Sequence, residues 1–407
     1  MELRVRRLWI QVHLVIGLTA GAVFVVMGLS GSVLVFYQGL DRWLNPQQLT
    51  ASSGETWKPL DDLVAAAQGA EPRRRGPAAL EWPYDDRGAL VFWFKEPATA
   101  RQGQEAEWHE VDVDPYTGRV LGARSYRGHL TGFLYEVHET LMAGAAGDTL
   151  VAVTGLLLTV SLATGAYLWW PRFGRLSRAF TFQDRANAVQ RQMDLHRLTG
   201  VVSLIVLMIV TLSGLCLIYR EEIPGFLDDI VPVHQWPGEV NSISRPDTSP
   251  LSASQVVAIA EQRFPQSKLR WLDFPVDATD VFRVGLHNSQ EMAGAGFSTS
   301  DRLWLDQYTG EILAERDWHT FTSTDKVLSA MLAFHNGQAL GPVGRVAVCL
   351  AGLALPVLYV TALRAWWLKR RIHRKKSAIS EGTGPVPSNT SLSSAGSQVE
   401  PTSHLRS

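Results

Sequence analysis

The sequence predicts an α-helical membrane protein. Four transmembrane helices come as a duplicated pair and carry two large α+β modules on the non-cytoplasmic side. Three observations predict this: four long apolar stretches without charge, basic clusters on one side of them only, and a set of motifs that occurs twice at matching offsets.

Trp9 to Tyr37, Thr149 to Trp170, Leu198 to Tyr219 and Val346 to Leu363 contain no Asp, Glu, Lys or Arg. Each is long enough to cross a bilayer, which takes about 20 helical residues. The first is too long for the apolar part of a cleaved leader, and its pattern recurs mid-chain, so it reads as a retained span. The expected division is therefore spans at 9–37, 149–170, 198–219 and 346–368, modules at 38–147 and 220–344, and a loop at 171–197. The tail, 377–407, is rich in Ser, Gly, Pro and Thr and is expected to be disordered.

Charge sets the expected orientation. Arg4, Arg6 and Arg7 precede the first span; Arg172, Arg175, Arg178, Arg185, Arg191 and Arg197 fill the second loop; Arg364, Lys369, Arg370, Arg371, Arg374, Lys375 and Lys376 follow the fourth. Basic residues stay on the cytoplasmic side, so both termini are expected there and the two modules face the periplasm of a Gram-negative cell. A net charge of −1 gives no field that would attract nucleic acid. Cys216 and Cys349, the only cysteines, lie in apolar blocks, which excludes a disulfide framework and cysteine-based zinc or iron–sulfur sites.

The repeat organises the rest. His13-x3-Gly17 with Ser30-Gly31 recurs as His196-x3-Gly200 with Ser213-Gly214, each serine 17 residues after its histidine. Asp114-Pro115-Tyr116-Thr117-Gly118 recurs as Asp306-Gln307-Tyr308-Thr309-Gly310. His138 precedes Gly147 and Trp169-Trp170 by 9 and 31 residues, as His335 precedes Gly344 and Trp366-Trp367.

Each module reads as a helix followed by strands. Ser252 is an N-cap for a helix ending near Pro265, and Leu60, Leu63 and Val64 give a weaker helical signal after Pro59. Strands are expected at Ala89 to Phe94, Trp108 to Val113, Val281 to Leu286 and Arg302 to Leu305. The Asp-x-Tyr-Thr-Gly elements read as hairpin turns with glycine in the left-handed position and no chemistry of their own.

The chemistry falls to His13, His138, His196 and His335. A polar ring in or beside a span is costly enough to need a function. His13 and His196 head their spans at the cytoplasmic end, whereas His138 and His335 precede theirs at the outer end, giving one couple per surface. As a straight helix, His138 to Trp169 would run roughly 46 Å, longer than the hydrocarbon core. The outer couple is then expected at the headgroups, unless the chain breaks at Gly144-Gly147 and Gly337-Gly344. At 100° per residue, His13, Gly17, Gly21, Gly28 and Gly31 share one line, as do His196, Gly200, Ser203, Ser213 and Gly214. Such a flattened groove would admit a planar macrocycle with imidazole on both axial sites of its iron, although glycine stripes also serve helix packing. Without Cys-x-x-Cys-His, any haem is non-covalent b-type. His138-Glu139 lacks the second histidine of a metalloprotease motif, Met142 standing in its place. His109, His129, His234, His287 and His319 read as exposed polar residues.

From Arg4 to Lys376 the chain resembles the PepSY-associated transmembrane family of bacterial inner-membrane proteins, often described as iron-regulated. The marks are Trp9-x3-His13-x3-Gly17 with Ser30-Gly31, the Asp-x-Tyr-Thr-Gly hairpins, His138 with Gly147, Gly155-Leu156-Leu157 and Thr164-Gly165-x-Tyr167-Leu168-Trp169-Trp170-Pro171. The second half departs, with Arg364-Ala365-Trp366-Trp367 where the first has Tyr167-Leu168-Trp169-Trp170. The resemblance implies two periplasmic PepSY modules and, as in siderophore-reductase members, haem held by membrane histidines. Flavoprotein fusions found in relatives are lacking here.

The leading expectation is a di-haem b-type oxidoreductase that reduces ferric siderophore or another ferric chelate at the periplasmic face. Hard oxygen chelators hold Fe(III) far better than Fe(II), so reduction alone loosens the iron. His13 and His196 would hold an inner haem, His138 and His335 an outer one, and the electron donor would be a quinol or another protein. Two rivals stay open: a PepSY-based anchor that binds or regulates proteases, and a haem protein that passes electrons to a protein partner.

Overall fold

The computed structural model describes residues 2–95, 107–170, 187–234, 236–289 and 300–382. Arg172, Arg175, Arg178 and Arg185 of the loop, and the tail beyond residue 382, lie outside them. The helices that matter are α1 (Glu2–Thr19), α2 (Gly21–Leu34), α3 (Leu60–Ala70), α4 (Leu130–Thr140), α5 (Gly144–Trp169), α6 (Ala188–Ile218), α7 (Ala253–Arg263), α8 (Met331–His335) and α9 (Gly341–Gly382). Among the described residues three helices are long and apolar enough to cross a membrane, and four if α1 and α2 count as one span. Apolar side chains such as Val202, Ile205 and Val343 stand exposed on them, as lipid-facing residues do.

The first span is not one rod, because α1 and α2 meet at 62°. Thr19 Oγ1 bonds back to the Val15 carbonyl at 2.8 Å, which bends helices, and Gly17 and Gly21 flank the break. The glycine line expected for a straight helix is thereby split, and its members do different work. A Cβ on Gly28 would lie 2.6 Å from the Gly352 carbonyl of α9, and one on Gly21 would strike the Tyr359 ring. These two serve close packing against α9. Gly31 faces His138, and Gly17 touches nothing within 4 Å.

α6 begins at Ala188, ten residues ahead of the apolar stretch, because Asn187 and Gln190 close a capping box there. The chain breaks where the glycines suggested. After α4, Leu141 and Met142 take φ values of 51° and 60°, and Gly144 follows at 55°. Gly337 and Gly341 do the same in the second half at 78° and 61°. Each short histidine helix therefore folds back, with Gly147 against the Thr140 carbonyl and Gly344 against that of Gly337, where no Cβ fits.

The two outer segments do not form separate modules. Their strands, β1 (Ala79–Glu81), β2 (Leu90–Lys95), β3 (Trp108–Val113), β4 (Val120–Ser125), β5 (Ser267–Asp273), β6 (Val281–Asn288), β7 (Asp301–Asp306) and β8 (Ile312–Arg316), make one sheet in the order β4-β3-β2-β1-β5-β6-β7-β8. The halves join where β1 and β5 pair antiparallel, Leu80 opposite Leu272. Side chains alternate faces along a strand, so Leu90, Phe92 and Phe94 enter the core with Leu80, Leu272, Val284 and Leu303. α3 and α7 cover that face together, and Asp61 accepts from Ser252 Oγ and Ser254 N, both at 3.0 Å, across their seam. Joining removes two edges and shares one core, a stable solution for two small α+β units.

Both hairpin turns form as expected, Gly118 and Gly310 at φ of 74° and 73°. In each, the aspartate side chain accepts from the tyrosine N–H at 3.0 Å. The tyrosine hydroxyls donate to the carbonyls of Asp86 and Ala278 at 3.1 and 3.0 Å, so the repeat persists at the level of single bonds.

Candidate functional site: two facing histidine pairs

The fold brings the four histidines together as two couples. The rings of His13 and His196 have centroids 6.1 Å apart, and those of His138 and His335 are 6.0 Å apart. Two imidazoles on opposite faces of one metal, each bonded at about 2 Å, put their ring centroids roughly 6 Å apart, so both couples have the spacing of a bis-imidazole site. Among the described residues no group of three or more His, Cys, Asp or Glu side chains gathers, so each donor set is a pair.

Every histidine is anchored in the same way. Nδ1 of His13 meets the Ser161 carbonyl at 3.0 Å, that of His138 meets Met27 at 3.1 Å, that of His196 meets Leu358 at 3.0 Å, and that of His335 meets Val210 at 2.9 Å. A carbonyl can only accept, so Nδ1 carries the proton and donates it. The lone pair is left on Nε2, the tautomer a metal ligand needs.

The acceptors share a local pattern that explains why they are open. Three residues beyond each carbonyl stands a hydroxyl, Thr164, Ser30, Thr361 or Ser213, which bonds back to that carbonyl at 3.0 to 3.2 Å. Four residues beyond stands Gly165, Gly31, Ala362 or Gly214, and residues four apart on a helix lie above one another. The small residue uncovers the carbonyl for an imidazole from another helix. An added Cβ would sit 2.8 Å from His138 Cε1 at Gly31, 2.8 Å from His335 Cε1 at Gly214 and 3.2 Å from His13 Cε1 at Gly165.

Sequence reasoning found the histidines and the Ser-Gly pairs but tied each pair to the wrong histidine. Ser30-Gly31 receives His138, not His13 of its own span, and Ser213-Gly214 receives His335. Thr361-Ala362 was missed because alanine hides its kinship with Thr164-Gly165; an offset of 197 residues, the same as from His138 to His335, exposes it.

A cavity of about 560 Å³ opens on the His13–His196 couple. Its wall is mainly apolar, with Gly17, Gly165 and Gly200 leaving it flat in places. Trp169 and Trp366, the repeat-related tryptophans, also line it, as do the cations of Arg6, Arg197 and Lys369. Asp194 pairs with Arg197 at 3.0 Å. An apolar slot with cations suits a flat hydrophobic ligand that carries carboxylates, which is the chemistry of haem b.

Of the five histidines expected to be exposed, His234 and His319 are, whereas His109, His129 and His287 are partly buried. The His129 side chain is 11% exposed and bonds Glu110 Oε1 at 2.9 Å, beside an Arg124 that holds both Asp41 and Glu110. This cluster fastens the short helix Tyr37–Leu44 to the sheet. His234 is half exposed and bonds Asp325 at 2.7 Å.

Residues 10–369 match the family described as the PepSY-associated TM region. The chain belongs to that family. As a member of the PepSY-associated TM region family it is a multi-pass membrane protein in contact with lipid. A comparison with curated proteins returned no match.

Proposed function

We propose that this protein is a di-haem, b-type electron carrier of the bacterial inner membrane that reduces ferric siderophore iron at the end of the bundle bearing the sheet. The observation that carries this reading is the fourfold anchor: four imidazoles in two facing couples, every Nδ1 committed to a carbonyl. Packing alone has no use for four identical tautomer locks, whereas axial ligation requires them. His13 and His196 would hold the inner haem and His138 and His335 the outer one. When bound, each haem would supply a one-electron couple, with a potential that the histidines holding it and their burial would set.

The chain's own residues do the rest. The carbonyls fix ring orientation, Arg6, Arg197 and Lys369 offer partners to haem carboxylates, and the mainly apolar wall offers a surface for the macrocycle to pack on. On α6, His196 and the Val210 anchor of His335 are separated by roughly 21 Å of helix axis, so the couples form two stations along the bundle. The basic clusters support an orientation with both termini in the cytoplasm and the sheet in the periplasm. A quinol or a protein donor gives one electron for each Fe(III) reduced to Fe(II), and the oxygen chelator then releases the softer ion.

The test is anaerobic mixing of dithionite-reduced, purified protein with a ferric siderophore and a coloured ferrous trap. One Fe(II) captured per haem reoxidised is the expected result. A protein that binds haem but never yields ferrous iron from any chelate would leave an electron carrier to a protein partner in its place.

A further inference from the structure

The sheet face turned away from α3 and α7 is not an ordinary solvent surface. Register lays Trp93, Ala79, Asp273, Arg283 and Trp304 side by side across β2, β1, β5, β6 and β7. The neighbouring row reads Val91, Glu81, Trp271, Gly285 and Arg302, and burial raises the Glu81 carboxyl to about 8. Small Ala79 and Gly285 leave the floor low between aromatic walls, and a cavity of about 480 Å³ results, within the range of small-molecule sites. Tyr135 of α4 and Arg220, just past α6, border it from the bundle side.

Its chemistry is one-sided. Arg220, Arg270, Arg283 and Arg302 line the cavity with a single lining carboxylate, Asp273; outside the lining, Arg283 pairs with Asp280 at 2.8 Å and Arg220 approaches Glu221 at 3.9 Å. Burial pushes the Asp273 carboxyl above its usual range, and Trp271 Nε1 already donates to it at 2.6 Å. The Trp93 and Trp271 rings lie 6.4 Å apart at 35°, which leaves flat apolar surface for an aromatic ring. Guanidinium forks beside indole faces recognise planar groups that carry anionic oxygens. The cavity lies at the helix that carries an outer histidine: its lining residue Tyr135 is three residues before His138 on α4, roughly 4.5 Å along the axis.

The geometry points to this cavity as the docking site of the acceptor, selecting anionic, aryl-bearing ferric chelates of the catecholate class over neutral ones. The inference rests on the proposed function, which names ferric chelates as acceptors but not where or by what chemistry they bind. Excess positive charge draws the anion, the indoles hold its aryl arms, and the iron is delivered beside the His138–His335 couple.

The test uses gallium(III), which has the charge of the ferric ion but is not reduced, so binding is read without electron transfer. Full-length protein in detergent is titrated with the gallium complex of a hexadentate tris-catecholate and with that of a neutral tris-hydroxamate, by calorimetry and tryptophan quenching. The catecholate complex is expected to bind at least about tenfold tighter. Arg220→Gln and Arg283→Gln, both at partly exposed positions, are each expected to weaken it about fivefold and to leave the hydroxamate complex unchanged. Melting temperatures confirm that both variants fold. Equal affinity for the two complexes, or variants that bind the catecholate complex like the parent, overturns the inference. If the site binds the gallium catecholate as expected but ferric iron is never reduced, the docking site stands and the reductase reading falls.

Discussion

Replacing Gly31 with alanine probes the anchoring of the outer couple directly. The new Cβ would lie 2.8 Å from His138 Cε1, whereas ordinary contact begins near 3.4 Å, so the ring must retreat by roughly 0.6 Å. The Met27 carbonyl lies on the same helix as Gly31, so the retreat lengthens a 3.1 Å hydrogen bond to a distance at which it no longer counts as one. Overpacking of this kind costs about 1–3 kcal/mol, and the freed Nδ1 no longer fixes the tautomer. Gly214→Ala is expected to act alike on His335, with its contact also at 2.8 Å, and Gly165→Ala more mildly on His13, at 3.2 Å. Gly39, exposed on a helix with nothing within 4 Å, is the control, and alanine there should be neutral or stabilising by up to about 1 kcal/mol. The assay is haem content, redox titration and thermal melting of the purified variants. The expected order of damage is Gly31 and Gly214 first, Gly165 next and Gly39 last, with the outer haem alone altered in the first two. Damage at Gly39 equal to that at Gly31, or an unaltered outer haem in Gly31→Ala and Gly214→Ala, would refute the anchoring argument.

Three further outcomes follow from other parts of the molecule. A reporter active only in the periplasm is expected to work when fused after Gly103 or Gln290 and to stay silent after Arg185, and the reverse pattern contradicts the orientation. Burial, aided by the nearby Glu110 carboxylate, raises the Asp112 carboxyl from 3.8 to about 8, so the folded state keeps a proton that the unfolded state has lost. That contribution is whole below about pH 4 and falls away as pH rises towards 8, at roughly 1.4 kcal/mol per pH unit for an isolated group; Asp112→Asn should flatten this decline in pH-dependent melting, and an unchanged slope contradicts it. Arg124→Met leaves Asp41 and Glu110 without their shared guanidinium in a setting where all three are under 15% exposed, and should cost about 3–5 kcal/mol in denaturant unfolding, a loss below about 1 kcal/mol refuting the role given to this cluster.

Much of this architecture was legible because it is periodic. The apolar stretches, the N-cap at Ser252 and the strands at Trp108 to Val113 and Val281 to Leu286 are all local patterns, and the histidines were visible through their fixed offsets. What stayed hidden is what depends on distant pairing. β1 is three residues long, too short to give an alternation signal, yet it joins the two halves into one sheet. The bend at Ala20 leaves no mark on the 100° periodicity of the residues, and neither does the division of glycines between packing and histidine cradle. His129 looks like any polar residue in sequence, since its partner Glu110, itself held by Arg124, is positioned only by the pairing of β3 and β4. The carbonyl anchors leave only Ser/Thr followed by Gly or Ala, a pattern too common to single out without the histidine that docks on it.

The central claim is that the two couples each hold a haem, and the haem stoichiometry of the purified protein and its four histidine variants tests it most directly. Pyridine haemochrome assay with reduced-minus-oxidised spectra should give two b-type haems per parent chain. His13→Ala and His196→Ala should each lose one haem and keep the other, and His138→Ala and His335→Ala should lose the one that the first two retain. A colourless parent, or four variants that all keep the full complement with an unchanged spectrum, would contradict the account.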